Sequence, residues 1–142
     1  MTKGPEKPWV PFESVSRAVR ATRFPEDARA VVAVLRGGRV PASLIAHHLG
    51  LPLFTIRMVF RDEANEPVAA TPRLLGRAPV LPDGNGSVLL VDEASVTGAT
   101  FAEARRHLAA DRIVTVALKG RADLVLMPDL PSGCVHWPWN ET

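Results

Sequence analysis

The chain of 142 residues has one cysteine, Cys134, so no disulfide can form within it. Its four histidines, His47, His48, His107 and His136, are scattered, and no Cys/His spacing suits a structural zinc or a nucleophilic site. A reducing, cytoplasmic setting is expected. No stretch approaches the roughly 20 continuous apolar residues of a membrane span, and residues 1–11 mix Lys, Glu and Pro without a signal-peptide core. No membrane partner is expected. Runs of one charge sign are also missing: 17 Lys and Arg stand against 15 Asp and Glu, and the net charge is +2. The basic residues are dispersed rather than aligned along a backbone-tracking face, so nucleic acid is not an expected partner.

What is present is the balance of a globular protein, with 46% hydrophobic and 23% charged residues. The length suits a single domain over 1–142. Phe12, Val15 and Val19 recur at helical spacing, which predicts a short amphipathic covering helix. Ala30-Val31-Val32-Ala33-Val34-Leu35 is an uninterrupted apolar run and reads as a strand buried on both faces, entering a tight Arg36-Gly37-Gly38 turn. Pro41 suits the first turn of a helix that Gly50 would stop, and a strand is predicted from Leu53 to Phe60. Residues 61–87 are polar and rich in Pro and Gly without apolar period, predicting a long loop or hood; a lid and a segment without function both fit that composition. Val88-Leu89-Leu90-Val91 is predicted as a second buried strand that ends at Asp92-Glu93. A helix over Phe101 to Leu108, a strand over Ile113 to Leu118 and a further strand at Val125-Leu126 complete the pattern.

This order predicts an α/β fold, an open, mostly parallel twisted sheet with helices on both faces. Ligands of such sheets gather at the carboxyl ends of the strands. Three polar or Gly-rich loops leave those ends, at Arg36-Gly37-Gly38, at Asp92 to Thr100 and at Lys119-Gly120-Arg121.

The middle loop carries the most chemistry. Gly98 and Ala99 allow a phosphate close to the backbone, and Thr97 and Thr100 add hydroxyl donors beside the unpaired N–H groups of a helix start. Asp92 and Glu93 can accept hydrogen bonds from two sugar hydroxyls, or one of them can help to hold magnesium. Taken separately, Thr97 as a helix cap and two solvated acids explain the same residues.

Joined, Val88-Leu89-Leu90-Val91-Asp92-Glu93-Ala94-Ser95-Val96-Thr97-Gly98-Ala99-Thr100 resembles the phosphoribosyl-pyrophosphate motif of type I phosphoribosyltransferases. The similarity is greatest to the bacterial xanthine-guanine and hypoxanthine subgroup, whose pyrophosphate loop is similar to Arg36-Gly37-Gly38. The resemblance implies transfer of ribosyl 5-phosphate from phosphoribosyl pyrophosphate to a 6-oxopurine base, with release of pyrophosphate. It implies that Arg36, Gly37 and Gly38 bind pyrophosphate, and that Asp92 and Glu93 act as catalytic acids on the ribose, with Glu93 also contacting magnesium. Ser95, Val96, Thr97, Gly98, Ala99 and Thr100 would hold the 5′-phosphate. Lys119, at the end of Val114-Thr115-Val116-Ala117-Leu118, would read the base, and Val135 and Trp139 would cover it. Relatives commonly form dimers or tetramers, so a homo-oligomer is expected.

Two positions depart from the family pattern. The second acid is more often Asp than the Glu93 found here. Where hypoxanthine-guanine enzymes and their relatives usually place an acid before Thr-Gly, this chain has Val96, which cannot accept a proton. A non-catalytic sensor that keeps the phosphoribosyl-pyrophosphate or nucleotide pocket is therefore the alternative reading. A general nucleotide-binding α/β domain is a third.

Overall fold

A computed structural model describes residues 7–59 and 71–140. In chain order the elements are α1 (Phe12–Ala21), β1 (Ala30–Leu35), α2 (Arg39–Leu49), β2 (Leu53–Val59), β3 (Arg73–Leu74), β4 (Ser87–Ser95), α3 (Ala99–Arg106), β5 (Arg112–Gly120) and β6 (Leu124–Val125). The end of the predicted second strand at Phe60 and the first part of the predicted hood, 61–70, lie outside the described residues.

The strands form one sheet in the order β3-β2-β1-β4-β5-β6. All neighbouring pairs are parallel except β2 with β3, which run antiparallel at the edge. The uninterrupted apolar runs follow from burial on both sides. Val31, Ala33, Leu89, Val91, Val116 and Leu118 face Val15, Val19, Ala42 and Ile45 of α1 and α2. The alternating residues Val32, Val34, Val88, Leu90 and Ala117 pack on the other face, with Phe101 and Ala104 of α3. A strand with no solvent face needs no polar alternation. Each fully buried Val or Leu contributes about 1.5–3 kcal/mol of transfer free energy, which makes these strands the rigid part of the molecule.

Because β1 connects to β2 on one side and its other neighbour is β4, the direction of strand succession reverses between β1 and β4. Their carboxyl ends flank a topological switch point, the crevice where open α/β sheets bind ligands. The opposite end of β4 is pinned by polar contacts: the Ser87 hydroxyl donates to Asp27 Oδ1 at 2.7 Å, and Arg112 forms an ion pair with Asp27.

Several element ends differ from expectation. β4 does not end at Asp92-Glu93 but runs on to Ser95, because β5 continues beside it with Asp92 opposite Ala117, Ala94 opposite Lys119 and Ser95 opposite Gly120. Asp92 and Glu93 are therefore strand residues. α3 spans Ala99–Arg106 rather than Phe101 to Leu108, whereas α2 has Pro41 in its first turn and Gly50 as its C-cap, as expected. Within 71–87, a two-residue strand pairs with β2, Met58 opposite Leu74 and Val59 opposite Arg73. The last strand lies at Leu124–Val125, one residue earlier than expected, tied to β5 by reciprocal hydrogen bonds between Thr115 and Asp123. Among the described residues no helix is long and apolar enough to cross a membrane.

Candidate active site

The pairing of β1 with β4 ends at Ala33 opposite Val91. Beyond that register the chain of β1 turns away through Arg36-Gly37-Gly38 and passes directly over the continuing β4. Gly37 is needed for this approach: a β-carbon there would lie 2.9 Å from both Cγ and Cδ of Glu93 and 3.0 Å from Asp92 Oδ1. Gly38 is closer still, since its β-carbon would collide with the carbonyl oxygen of Val91. The peptide joining Leu35 to Arg36 is cis, and Arg36 itself is exposed on the loop.

Asp92 and Glu93 point to neighbouring places on this rim. Asp92 Oδ1 accepts a hydrogen bond from the Glu93 backbone N–H at 2.7 Å. Burial pushes the Asp92 carboxyl up to about 7; the backbone hydrogen bond opposes that rise and the neighbouring Glu93 charge adds to it. Glu93 is also raised by burial, opposed by a hydrogen bond from the Trp139 indole, whose Nε1 lies 2.9 Å from Oε2. Two adjacent acids whose charge is disfavoured by their surroundings suit a cationic guest or a polyhydroxyl one.

Beyond the acids, β4 opens into a cleft of about 320 Å³ walled by Asp92, Ser95, Val96, Thr97, Gly98, Ala99, Thr100 and Phe101, with Pro72 entering from the segment before β3. Gly98 precedes α3 with φ of 85°, and the Thr97 hydroxyl accepts the Ala99 N–H at 3.2 Å. The first-turn N–H groups of α3 thus adjoin the cleft, an arrangement suited to an anion. Val96 is 83% exposed at its mouth. Ser95 is buried, and its carbonyl oxygen accepts the Arg121 N–H at 2.7 Å.

The third loop adjoins the second through β5. Lys119 lies opposite Ala94, and its ammonium donates to the carbonyl oxygens of Pro131 and Gly133 in the tail. Gly120 has φ of 98°, and a β-carbon there would run into the Ser95 carbonyl, so this turn depends on glycine. The tail then brings Val135 into the core and stacks Trp139 on the buried Trp137, ring centroids 5.4 Å apart and planes 4° from parallel.

The three loops expected to share a rim therefore do so. Sequence reasoning anticipated neither the indole contact between Trp139 and Glu93 nor the place of Pro72 in the cleft wall. The first joins residues 46 positions apart and leaves no periodic trace in the sequence. For Pro72 no sequence signal distinguishes it from the other prolines of its segment.

The profile of the family described as "Phosphoribosyl transferase domain" matches residues 14–118. The chain belongs to this family. It therefore belongs to a family of phosphoribosyltransferase enzymes, and its sheet has the type I architecture. Among solved structures, this phosphoribosyltransferase chain is similar to a purine phosphoribosyltransferase from Pyrococcus horikoshii, at 25% identity and a TM-score of 0.67, covering 94% of each chain. It is similar in fold to the Helicobacter pylori xanthine-guanine-hypoxanthine phosphoribosyltransferase, at 17% identity and a TM-score of 0.65, covering 89% of this chain and 86% of that one. The APRTase from Giardia lamblia complexed with 9-deazaadenine also shares the fold, at 19% identity and a TM-score of 0.55, covering 75% of this chain and 66% of that one.

Among the described residues no three His, Cys, Asp or Glu side chains cluster into an all-protein metal cage. Asp92 and Glu93 supply only carboxylate oxygens, and their ionised forms are disfavoured by burial. That donor set fits magnesium, which takes one or two carboxylates and completes its shell with water and substrate phosphate oxygens.

Proposed function

We propose that this chain, as a single phosphoribosyltransferase domain, transfers ribosyl 5-phosphate from phosphoribosyl pyrophosphate to a 6-oxopurine base. The observation that carries the reading is the contact between the Arg36-Gly37-Gly38 turn and the two acids, where a β-carbon on Gly37 would lie 2.9 Å from Glu93. One sugar diphosphate can then span three functions. The α3 start with Thr97 and Thr100 receives the 5′-phosphate, Asp92 and Glu93 accept the ribose hydroxyls, and the Arg36 turn receives the diphosphate.

In the reaction, a purine ring nitrogen forms a bond to the anomeric carbon as the bond from that carbon to the pyrophosphate oxygen breaks. The oxygen leaves with the electron pair, positive charge develops on the ribose, and the proton of the attacking ring nitrogen passes to solvent water. Arg36 stabilises the departing negative charge, and the nearby carboxylates favour the positive ribose. Magnesium, held by Glu93 with Asp92 adjacent, would supply further charge neutralisation on pyrophosphate. Lys119 would donate to the 6-oxo group, its ammonium already directed by the Pro131 and Gly133 carbonyls. Trp139 would cover the base, while Val135, buried in the core, would support the tail beneath it rather than touch the ring. A cytoplasmic location and a homo-oligomeric assembly are part of the same proposal.

Val96, exposed at the cleft mouth, favours one second reading. A residue without a proton-accepting group suits a chain that binds phosphoribosyl pyrophosphate or a nucleotide as a sensor. Incubation with magnesium, phosphoribosyl pyrophosphate and a panel of hypoxanthine, guanine, xanthine and adenine separates the two. Pyrophosphate release with a 6-oxopurine supports transfer. Ligand-induced thermal stabilisation without product with any base supports the sensor, and release with adenine alone overturns the assigned base class.

A further inference from the structure

We infer that Trp139 is a positioning residue for Glu93, fixing one carboxylate oxygen so that the other faces the ribose-diphosphate site; the assignment rests on the function proposed above. Glu93 is enclosed from two directions. On one side stands the backbone of Gly37, close enough that a β-carbon would lie 2.9 Å from Glu93 Cγ and Cδ. On the other, Trp139 Nε1 donates to Oε2 at 2.9 Å. An indole N–H is a donor only and carries no charge, so it fixes the carboxylate without cancelling the charge needed for magnesium or the ribose. A Lys or Arg here would orient the oxygen and neutralise it together.

The indole is itself held in place. It stacks on Trp137, which is 4% exposed and packs in the core with Val10 and Val135. The tail is clamped by backbone hydrogen bonds from Val10 N to His136 O at 2.9 Å and from His136 N to Pro8 O at 2.8 Å. A flexible glutamate thus acquires a defined direction from a contact anchored in the core. Trp139 acts through Glu93, which distinguishes this role from covering the base.

Calorimetric titration of magnesium phosphoribosyl pyrophosphate into the full chain tests this through a double-mutant cycle of Trp139→Phe and Glu93→Ala. Trp139→Phe keeps a stacked ring and loses the N–H, and it is expected to weaken binding about tenfold when Glu93 is present. In the Glu93→Ala background the same change is expected to have no further effect. An equal loss in both backgrounds, or no loss in either, overturns the assignment. Should Trp139→Phe melt early, benzothienylalanine at the same position retains the bicyclic shape without the donor and carries the same two expectations. If the wild-type chain itself takes up no magnesium phosphoribosyl pyrophosphate, the proposed function falls and this assignment falls with it; normal wild-type binding with no coupling removes the assignment alone.

Discussion

Gly37, in the turn after β1, and Glu93, within β4, share one small space: a β-carbon on the glycine would stand 2.9 Å from the glutamate's Cδ. The absence of a side chain at residue 37 is what lets the first loop and the paired acids enclose one ligand. Gly37→Ala is expected to push the Glu93 carboxylate aside, since its flexible end yields more readily than backbone. The displacement should reduce transfer by roughly a hundredfold, the scale of an ångström-sized misplacement at a reacting centre. Thermal melting should move little, so steady-state rates beside a melting curve check both halves.

Asp92 gives a pH dependence whose sign follows from burial. Its folded pKa, about 7, lies above its unfolded one, so between the two the folded state holds the extra proton and stability falls as pH rises. The cost is absent below the unfolded value and complete above about 7. Asp92→Asn removes it while retaining an oxygen to accept the Glu93 N–H. Denaturant unfolding at pH 8 should find the variant more stable by on the order of 3 kcal/mol, a gap that closes as pH falls toward 4. Transfer should be lost in the same variant.

Val96 tests whether proton transfer limits the rate. Val96→Asp places a carboxylate at the mouth of the cleft, where the valine is 83% exposed, so the exchange should leave the fold intact. A general base contributes about a hundredfold or more, and a gain of that order in 6-oxopurine transfer is expected. Unchanged turnover would mean that another step or group governs the reaction.

Lys119 links base recognition to the order of the tail. Its ammonium joins two carbonyls, those of Pro131 and Gly133, that lie 12 and 14 residues away. Lys119→Met keeps the stem and removes those donors. KM for the base should rise at least tenfold, and stability should fall by about 1–3 kcal/mol. Base-concentration kinetics and denaturant unfolding measure the two effects separately.

The sequence alone settled the elements whose environment is uniform. Val31 to Val34 and Val88 to Val91 have no polar alternation because both faces of their strands are covered, and that pattern depends on nothing remote. The small-residue turn at Thr97 and Gly98 that leads into α3 was legible for the same reason: the positive φ of Gly98 and the Thr97 hydroxyl's contact with the Ala99 N–H are local. Tertiary structure decided what depends on neighbours distant in the chain. Strand β4 reaches Ser95 only because β5 continues beside it, so Asp92 and Glu93 lie within the strand rather than at its end. The nearness of Gly37 to Glu93, and of Glu93 to Trp139, arises where three chain segments converge at the reversal between β1 and β4. A contact between remote segments is set by how the sheet stacks them, and neither segment's local sequence contains it.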